Sequence, residues 1–465
     1  MAALETTQRF DLPGFAGSLF YPDHPDYDTH RKVYNGMVDR RPAVIARCHS
    51  ADDVVHAVNF ARERGLTFSV NGGGHSVTGA AVCEAGLMID LRGMKGIEID
   101  PATRTGRFEA GLNWGEFDAA TAKHGLAMTG GRNPTTGIAG LALGSGSGWL
   151  ERKFGFACDN LIKAEVVTAD GRQVVASETE NPDLFWGLRG GGGNFGIVTA
   201  FHFRLHQLPN PILGGVLLYP PQMAASVIKA FRDFMDTAPD ELSGAVVFTT
   251  APDAPFVPQP ARGKPIVLVQ LIYAGEPEAG QRVIAPLKAA IPPVGDLVQP
   301  VPYPVLQTQG GNWPGTQNYW TADFLRELPD AAIEGYAPVA MNPISPESAI
   351  ILVKGGGAPS RVPEDATAFG MRTAPWNVHY ICGWRNPADN AHNIERVKQT
   401  AAILKPWATG RVYLNYIGDE GQERIDASFG DEKMARLRQL KRKWDPQNLF
   451  RHNHNIRPAD TATPA

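Results

Sequence analysis

The stretch Arg189-Gly190-Gly191-Gly192-Gly193-Asn194-Phe195-Gly196 contains a literal Gly-x-Gly-x-x-Gly, and whether it opens a dinucleotide-binding unit decides the fold. Such a unit places a strand before the glycines, a helix after them and an acidic residue about 20 positions on to hold a ribose. Here the order is reversed. Pro182 to Leu188 reads as a helix before the cluster and Ile197 to Leu205 as a strand after it, and no Asp or Glu occurs between Gly196 and Asp233. The doubly wound nucleotide fold is excluded. Two further clusters precede this one, Asn71-Gly72-Gly73-Gly74-His75-Ser76 and Gly137-Ile138-Ala139-Gly140 through Gly144-Ser145-Gly146-Ser147-Gly148-Trp149. Any one of them reads as a tight turn. Three together suit one long phosphorylated cofactor, because glycine lets a backbone approach a ligand and aim its amides at anionic oxygens.

Outward from the glycines, residues 42 to 110 alternate strand and helix. Ser50 to Asp53 has the pattern of a capping box, and Val54, Val55, Val58 and Phe60 recur at helical spacing until Gly65. Asn113 is placed to cap a helix ending near His124, and Ala169-Asp170-Gly171-Arg172 to turn a hairpin between Glu165 to Thr168 and Gln173 to Ala176. Pro209-Asn210-Pro211 marks a composition shift. Beyond it, strands at Gly215 to Tyr219, Ile266 to Tyr273 and Ala349 to Lys354 alternate with helices near 221 to 236, 276 to 290 and 390 to 404. Arg411 to Ile417 reads as a strand before a last helix around 431 to 443, and Ala459 to Ala465 as a frayed tail.

The 465 residues, 43% hydrophobic and 20% charged, are enough for a large core and more than one lobe. A net charge of -4 without a basic block argues against a nucleic-acid surface and for a small-molecule partner. Cys48, Cys83, Cys158 and Cys382 lack zinc-site or CxxC spacing and read as reduced core thiols. His452 and His454 lack a third ligand at metal spacing, so no metal is expected. The N-terminus carries no signal-peptide pattern, and no apolar run approaches the roughly 20 residues of a membrane span. The expectation is a soluble, cytoplasmic protein.

Four ordered motifs resemble one family: Gly72 to Ser76; Gly137 to Trp149 with Cys158-Asp159-Asn160; Asp183-Leu184-Phe185-Trp186 with Arg189 to Thr199; and Tyr413-Leu414-Asn415-Tyr416 followed by Trp444 to Phe450. Over about residues 30 to 205 and 405 to 458 the chain resembles the FAD-linked oxidases of the vanillyl-alcohol-oxidase superfamily, in the berberine-bridge-enzyme-like group. The resemblance implies an α+β, two-lobed, PCMH-type FAD-binding fold. Residues 1–208 and 409–465 would form the FAD lobe, and 209–408 an inserted antiparallel-sheet substrate domain. His75 occupies the position that bonds covalently to the flavin 8α-methyl. Asn133 stands where many relatives carry a second, cysteinyl link, which points to attachment through His75 alone, as in members similar to 6-hydroxy-D-nicotine oxidase. Asn71 replaces a common Arg beside the pyrophosphate.

The resemblance further implies that Asn71 to Ser76, Gly79, Asn133, Thr136, Gly137, Gly140, Gly144, Gly148, Val198, Tyr413 and Asn415 hold the cofactor. Thr136 fills the oxygen-gate position and is close in size to the Val associated with oxidases, and Leu141 lines the same pocket. On the expected strand Tyr413 and Asn415 share a face, and Tyr416 points the other way. Tyr413 matches the substrate-side tyrosine that takes a proton, a role that requires a lowered pKa; the alternative is a core tyrosine with a satisfied hydroxyl. Asn312-Trp313, Asn318-Tyr319-Trp320, Trp376 to Tyr380 and Gly383-Trp384-Arg385 are either substrate-stacking groups or sheet core. The expected activity is hydride transfer from a C–H next to an alcohol or amine, with dioxygen as second substrate and hydrogen peroxide as product. The alternative is a flavin-dependent oxygenase or oxidative cyclase. Oligomeric state and substrate identity are not legible.

Overall fold

A computed structural model describes residues 10, 12–255, 257, 259–309 and 313–460. Asn312 and the tail residues 461–465 lie outside the described residues. The architecture is α+β, as the resemblance implies. A four-stranded sheet runs Ser18–Phe20, Val44–Arg47, Leu87–Asp90, Phe68–Asn71, the last three parallel. Its crossover helix, Ala51–Glu63, starts at a formed capping box, in which Ser50 accepts from the Asp53 amide and Asp53 from the Ser50 amide. A five-stranded antiparallel sheet follows, in the order Ile97–Asp100, Thr105–Glu109, Ile197–Arg204, Leu161–Val167, Gln173–Ser177. The expected hairpin is its outer pair, and Gly171 takes the positive φ of 81° that the turn requires.

From Ile212 the chain builds an eight-stranded antiparallel sheet. Its order is Gly295–Asp296, Ile212–Tyr219, Pro265–Tyr273, Leu242–Thr250, Ala349–Lys354, Trp376–Trp384, Gln317–Leu325, and Gln299–Val301 also pairs with Ile212–Tyr219. Period-two alternation splits each strand. Leu217, Val246, Phe248, Val267, Val269, Leu352, Val378 and Tyr380 are buried in a core shared with helices Ala224–Met235, Pro277–Ala290, Asp330–Ala340 and Asn390–Ala402. Their neighbours along each strand face the first lobe.

After the sheet the chain returns. Arg411 to Ile417 is not a strand: Leu414–Tyr416 is a 3-10 turn with the Tyr416 amide donating to the Tyr413 carbonyl, so residues three apart, not two, come together. Helix Asp431–Trp444 then packs on the third glycine cluster. A Cβ on Gly191 would fall 3.1 Å from Leu437 Cδ2. Lys441 on this helix is wholly buried; its Nζ lies 2.7 Å from Asp445 Oδ2 and donates to the Asn194 and Phe450 carbonyls at 2.7 and 2.8 Å. Burial pushes the Lys441 pKa down to about 8 against the opposing pull of Asp445. Asp445 also accepts from the Leu449 and Phe450 amides, both at 2.8 Å. Asp445→Ala leaves this ammonium unpaired and is expected to cost about 3–5 kcal/mol in urea unfolding. A loss under about 1 kcal/mol would show that the pair does not hold the return segment.

Candidate active site

The two lobes enclose a cavity of about 1210 Å³. On the first-lobe side its wall is glycine: Gly72, Gly73 and Gly74, then Gly137, Gly140 and Gly144, then Gly190 to Gly193. A Cβ on Gly140 or Gly193 would meet nothing within 4 Å, so there the open space belongs to the cavity. Elsewhere glycine permits a crossing: a Cβ on Gly73 would lie 2.6 Å from Gly137 Cα, and one on Gly137 2.3 Å from the Gly72 carbonyl oxygen. The three clusters thus meet along one elongated trough of backbone, the form that a dinucleotide needs.

That crossing puts His75 against Thr135 and Thr136. His75 Nε2 is 2.8 Å from Thr135 Oγ1, and Nδ1 is 3.3 Å from Thr136 Oγ1. Asn133 settles the tautomer. Its Oδ1 accepts from the Thr135 amide at 3.0 Å and from the Thr135 hydroxyl at 2.8 Å. With its proton given to Asn133, Thr135 Oγ1 accepts from His75, so Nε2 carries the hydrogen and Nδ1 keeps its lone pair. Burial pushes the His75 pKa down to about 4, which leaves the ring neutral near pH 7. The ring stacks on Tyr34, with centroids 4.6 Å apart.

The other wall is the inner face of the large sheet. Val216, Leu218, Val247, Ile266, Leu268, Ile351, Val353 and Ile381 present alkyl groups to the cavity, with Thr249, Gln270, Trp320 and His379 among them. Thr249 is occupied, donating to the Ser348 carbonyl at 2.9 Å. Aromatic rings continue from His75 and Tyr34 as an arc. Trp320 stands edge-on to Tyr34 at 5.7 Å, His379 edge-on to Trp320 at 5.4 Å, and Tyr416 lies parallel to His379 at 3.8 Å. His379 is buried, its Nε2 has no partner, and burial together with Arg132 drives its pKa well below the usual imidazole value.

Tyr416 carries the polar end of the arc. Arg132, half-buried in the wall, donates to Tyr416 Oη at 2.5 Å and to Ser147 Oγ at 3.1 Å, stands 3.8 Å from Glu151 and lies over the Trp149 ring at 4.6 Å. The arrangement is a hydroxyl open to the cavity with a desolvated cation behind it, suited to moving a proton where negative charge develops.

Of the sequence-derived candidates, Gly72 to Ser76, Asn133, Thr136, Gly137, Gly140, Leu141, Gly144, Val198 and Asn415 line the cavity. Asn71, Gly79 and Gly148 stand behind its wall. Asn71 Oδ1 accepts from the Gly73 amide at 2.9 Å, Gly79 at φ 72° presents its carbonyl to Arg40, and Gly148 lies against the Gly130 carbonyl. Tyr413 requires a correction. Its side chain is buried off the cavity, and Oη receives hydrogen bonds from the Gly146 amide at 2.9 Å, the Ser147 amide at 3.1 Å and Asn415 Nδ2 at 2.9 Å. Burial raises its pKa instead of lowering it. The aromatic stretches divide: Trp313, Trp320 and His379 face the cavity, whereas Trp376, Tyr380 and Trp384 are core. Arg132 belongs to none of the motifs, although a lone Arg inside Gly130-Gly131-Arg132-Asn133-Pro134 is a usable signal. The four cysteines are buried and free, and no metal-holding cluster occurs among the described residues. No helix among the described residues is long and apolar enough to cross a membrane.

Known proteins share the sequence families and the fold. The profile of the family described as FAD binding domain matches residues 42–177, and that described as Berberine and berberine like matches residues 412–457. The (R)-6-hydroxynicotine oxidase of Paenarthrobacter nicotinovorans is 32% identical over 460 residues, 95% of this chain and 97% of the relative. A crystal structure of 6-hydroxy-D-nicotine oxidase from Arthrobacter nicotinovorans superposes with a TM-score of 0.86 at 30% identity, covering 97% of this chain and 99% of the other. The carbohydrate oxidase of Microdochium nivale shares the fold, with a TM-score of 0.83 at 24% identity over 97% of this chain and 99% of its own. The class is therefore that of the FAD-dependent oxidoreductases with a PCMH-type fold. Within it, the chain belongs to the berberine-bridge-enzyme-like FAD-linked oxidases.

Tyr413→Phe removes the acceptor of two backbone amides and is expected to destabilise by about 1–3 kcal/mol. Its thermal midpoint should fall while the pH dependence of flavin reduction stays that of the wild type. A displaced pH profile would return Tyr413 to the chemistry.

Proposed function

We propose that the protein is an oxidase that takes a hydride and a proton from a small molecule bearing a C–H next to an alcohol or amine, with dioxygen as the final acceptor. The observation that carries this reading is the pair Arg132–Tyr416 opening on the same cavity as the glycine trough. FAD, bound in the trough, supplies the two-electron acceptor, which dioxygen restores with release of hydrogen peroxide. The cavity's own residues do the rest. Tyr416 Oη takes the substrate's proton as it passes its own to Ser147 Oγ, which donates to the Glu151 carboxylate, Arg132 orients the tyrosine oxygen, and the sheet, part of the inserted lobe 209–408 between segments 1–208 and 409–465, excludes water. Thr136 stands at the gate position with its hydroxyl turned to His75, which leaves its methyl as the bulk at the gate. Peroxide formed in one-to-one ratio with substrate consumed supports the oxidase; product bearing oxygen from dioxygen, with no peroxide, supports the oxygenase.

The flavin is held covalently through His75 Nδ1, since the Thr135–Asn133 relay fixes that nitrogen as the nucleophile and Asn133 has no sulfur for a second link. Acid precipitation should leave the yellow chromophore in the wild-type pellet and release it from His75→Ala. Thr135→Val, lacking the acceptor for Nε2–H, should lower the acid-stable fraction several-fold. Incorporation should run equally at pH 8 and pH 6 and fall toward pH 4, where His75 takes up a proton. Colour that washes out of the wild type ends the covalent assignment.

Tyr416→Phe should slow anaerobic flavin reduction by about 10²–10⁴ with little change in Tm. Arg132→Gln should slow it by about 10²–10³. Unchanged reduction in both variants would remove the pair from the mechanism.

A further inference from the structure

The sheet wall says what kind of molecule reaches Tyr416. A bound substrate trades water for this wall, so each polar or charged group on it needs a partner there or carries a desolvation cost. Partners are scarce. Among the described lining residues no Lys or Glu occurs, and the one Asp, Asp253, is exposed at the mouth and 3.2 Å from Arg262. Arg132 is already shared by Tyr416, Ser147 and Glu151. Of the polar groups on the sheet face, Thr249 is engaged and Thr250 and Gln299 stand at strand ends, leaving along the face itself the Gln270 amide and His379, whose buried Nε2 is unpaired.

This inventory discriminates between chemical classes. A sugar ring carries hydroxyls on every edge, and most of them would lie against Val216, Leu218, Val247, Ile266, Leu268, Ile351, Val353 and Ile381, which offer no hydrogen-bond partner. An ammonium ion would enter beside the Arg132 cation and find no carboxylate on the sheet. A planar apolar ring fits. The arc from Tyr34 through Trp320 and His379 to Tyr416 offers faces and edges to an aromatic group, and Leu268, Ile351 and Val353 offer alkyl surface.

Resting on the oxidase reading, we propose that the substrate is an uncharged, largely apolar aryl alcohol whose carbinol lies at Tyr416, with one further polar group at His379 or Gln270. The carbinol C–H and O–H bonds break and a C=O bond forms. The two electrons leave with the C–H hydrogen to FAD, the hydroxyl proton goes to Tyr416 Oη as Tyr416 passes its own through Ser147 to Glu151, and dioxygen is reduced to hydrogen peroxide.

The test compares three probes with the flavin-loaded enzyme at pH 7 without oxygen: naphthalen-2-ylmethanol, its isostere naphthalen-2-ylmethylamine, which is an ammonium ion at that pH, and cellobiose. A fourth, the non-oxidisable ketone 2-acetonaphthone, reports binding alone through tryptophan fluorescence and the flavin absorption bands. The expected result is that 2-acetonaphthone binds and that naphthalen-2-ylmethanol reduces the flavin at least tenfold faster than the ammonium isostere, with cellobiose inert. Ile351→Asp, which places a carboxylate on the sheet face, should turn the preference tenfold toward the ammonium. Faster reduction by cellobiose or the ammonium isostere, or no spectral change with millimolar 2-acetonaphthone, overturns the proposal. Binding of 2-acetonaphthone with no reduction by the alcohol supports the substrate class and counts instead against the oxidase reading.

Discussion

The close crossing of Gly72 and Gly73 over Gly137 is the constraint from which the rest of the site follows. A side chain at Gly73 or Gly137 would occupy backbone, so the two loops approach only as glycine, and the approach is what sets His75 beside Thr135 and Thr136. The same crossing starts the short helix Ile138–Leu143, whose first amide donates to the Leu112 carbonyl. At the far end of that helix the Leu143 carbonyl accepts from both Gly190 and Gly192, at 3.0 Å each, which fastens the third cluster to the second. Next to it Gly144 leaves room for Asn415, since a Cβ there would fall 2.2 Å from Asn415 Oδ1. Four segments far apart in sequence are thereby locked around one trough, three by backbone contacts and the fourth through the Asn415 side chain.

The opposite wall obeys a different rule. A sheet covered by helices on one face must give alternate residues to the core, and the remaining alternates are free to be chosen for what they meet in the cavity. In Ala349–Lys354, Ile350 and Leu352 serve the helical core whereas Ala349, Ile351 and Val353 serve the cavity. The polarity of the ligand space is thus separable from the stability of the lobe. The glycine wall has no such freedom, because its contacts are main-chain and any side chain would fill the trough.

These two rules also explain what could be read from the chain in advance. The glycine clusters, the capping boxes at Ser50 and Asn113, the Asp170-Gly171 turn and the strand Ala349 to Lys354 depend on neighbours within a few residues, and so leave a local signature. The aromatic arc leaves none. Tyr34, His75, Trp320, His379 and Tyr416 come from five separate segments, and inside their own strands Trp320 and His379 look no different from the core residues Trp376 and Tyr380. Only the register, which pairs Trp320 with Ile381 and Ala322 with His379, shows which aromatic positions turn toward the cavity.

The exchange of roles between the two tyrosines follows from local geometry. Alternating apolar and polar residues over Arg411 to Ile417 satisfy a strand pattern, but the segment meets the strand Gln317–Leu325 only at its ends, where the Arg411 carbonyl accepts from the Phe324 amide and the Gly418 amide donates to the Trp320 carbonyl; between them the chain bonds to its own turn. Once the turn forms, Tyr413 and Tyr416 meet edge to face at 4.5 Å with hydroxyls directed to different surroundings. One oxygen collects the Gly146 and Ser147 amides and the Asn415 side chain, and Asn415 in turn donates to the Leu141 carbonyl at 3.0 Å. An oxygen that three donors hold in place serves as an anchor, not as a proton carrier. By filling that position Tyr413 fixes the turn, and the turn presents Tyr416 to Arg132 and the open cavity. The sequence spacing of three that disqualifies a strand is what allows one tyrosine to hold the segment while the other faces the substrate.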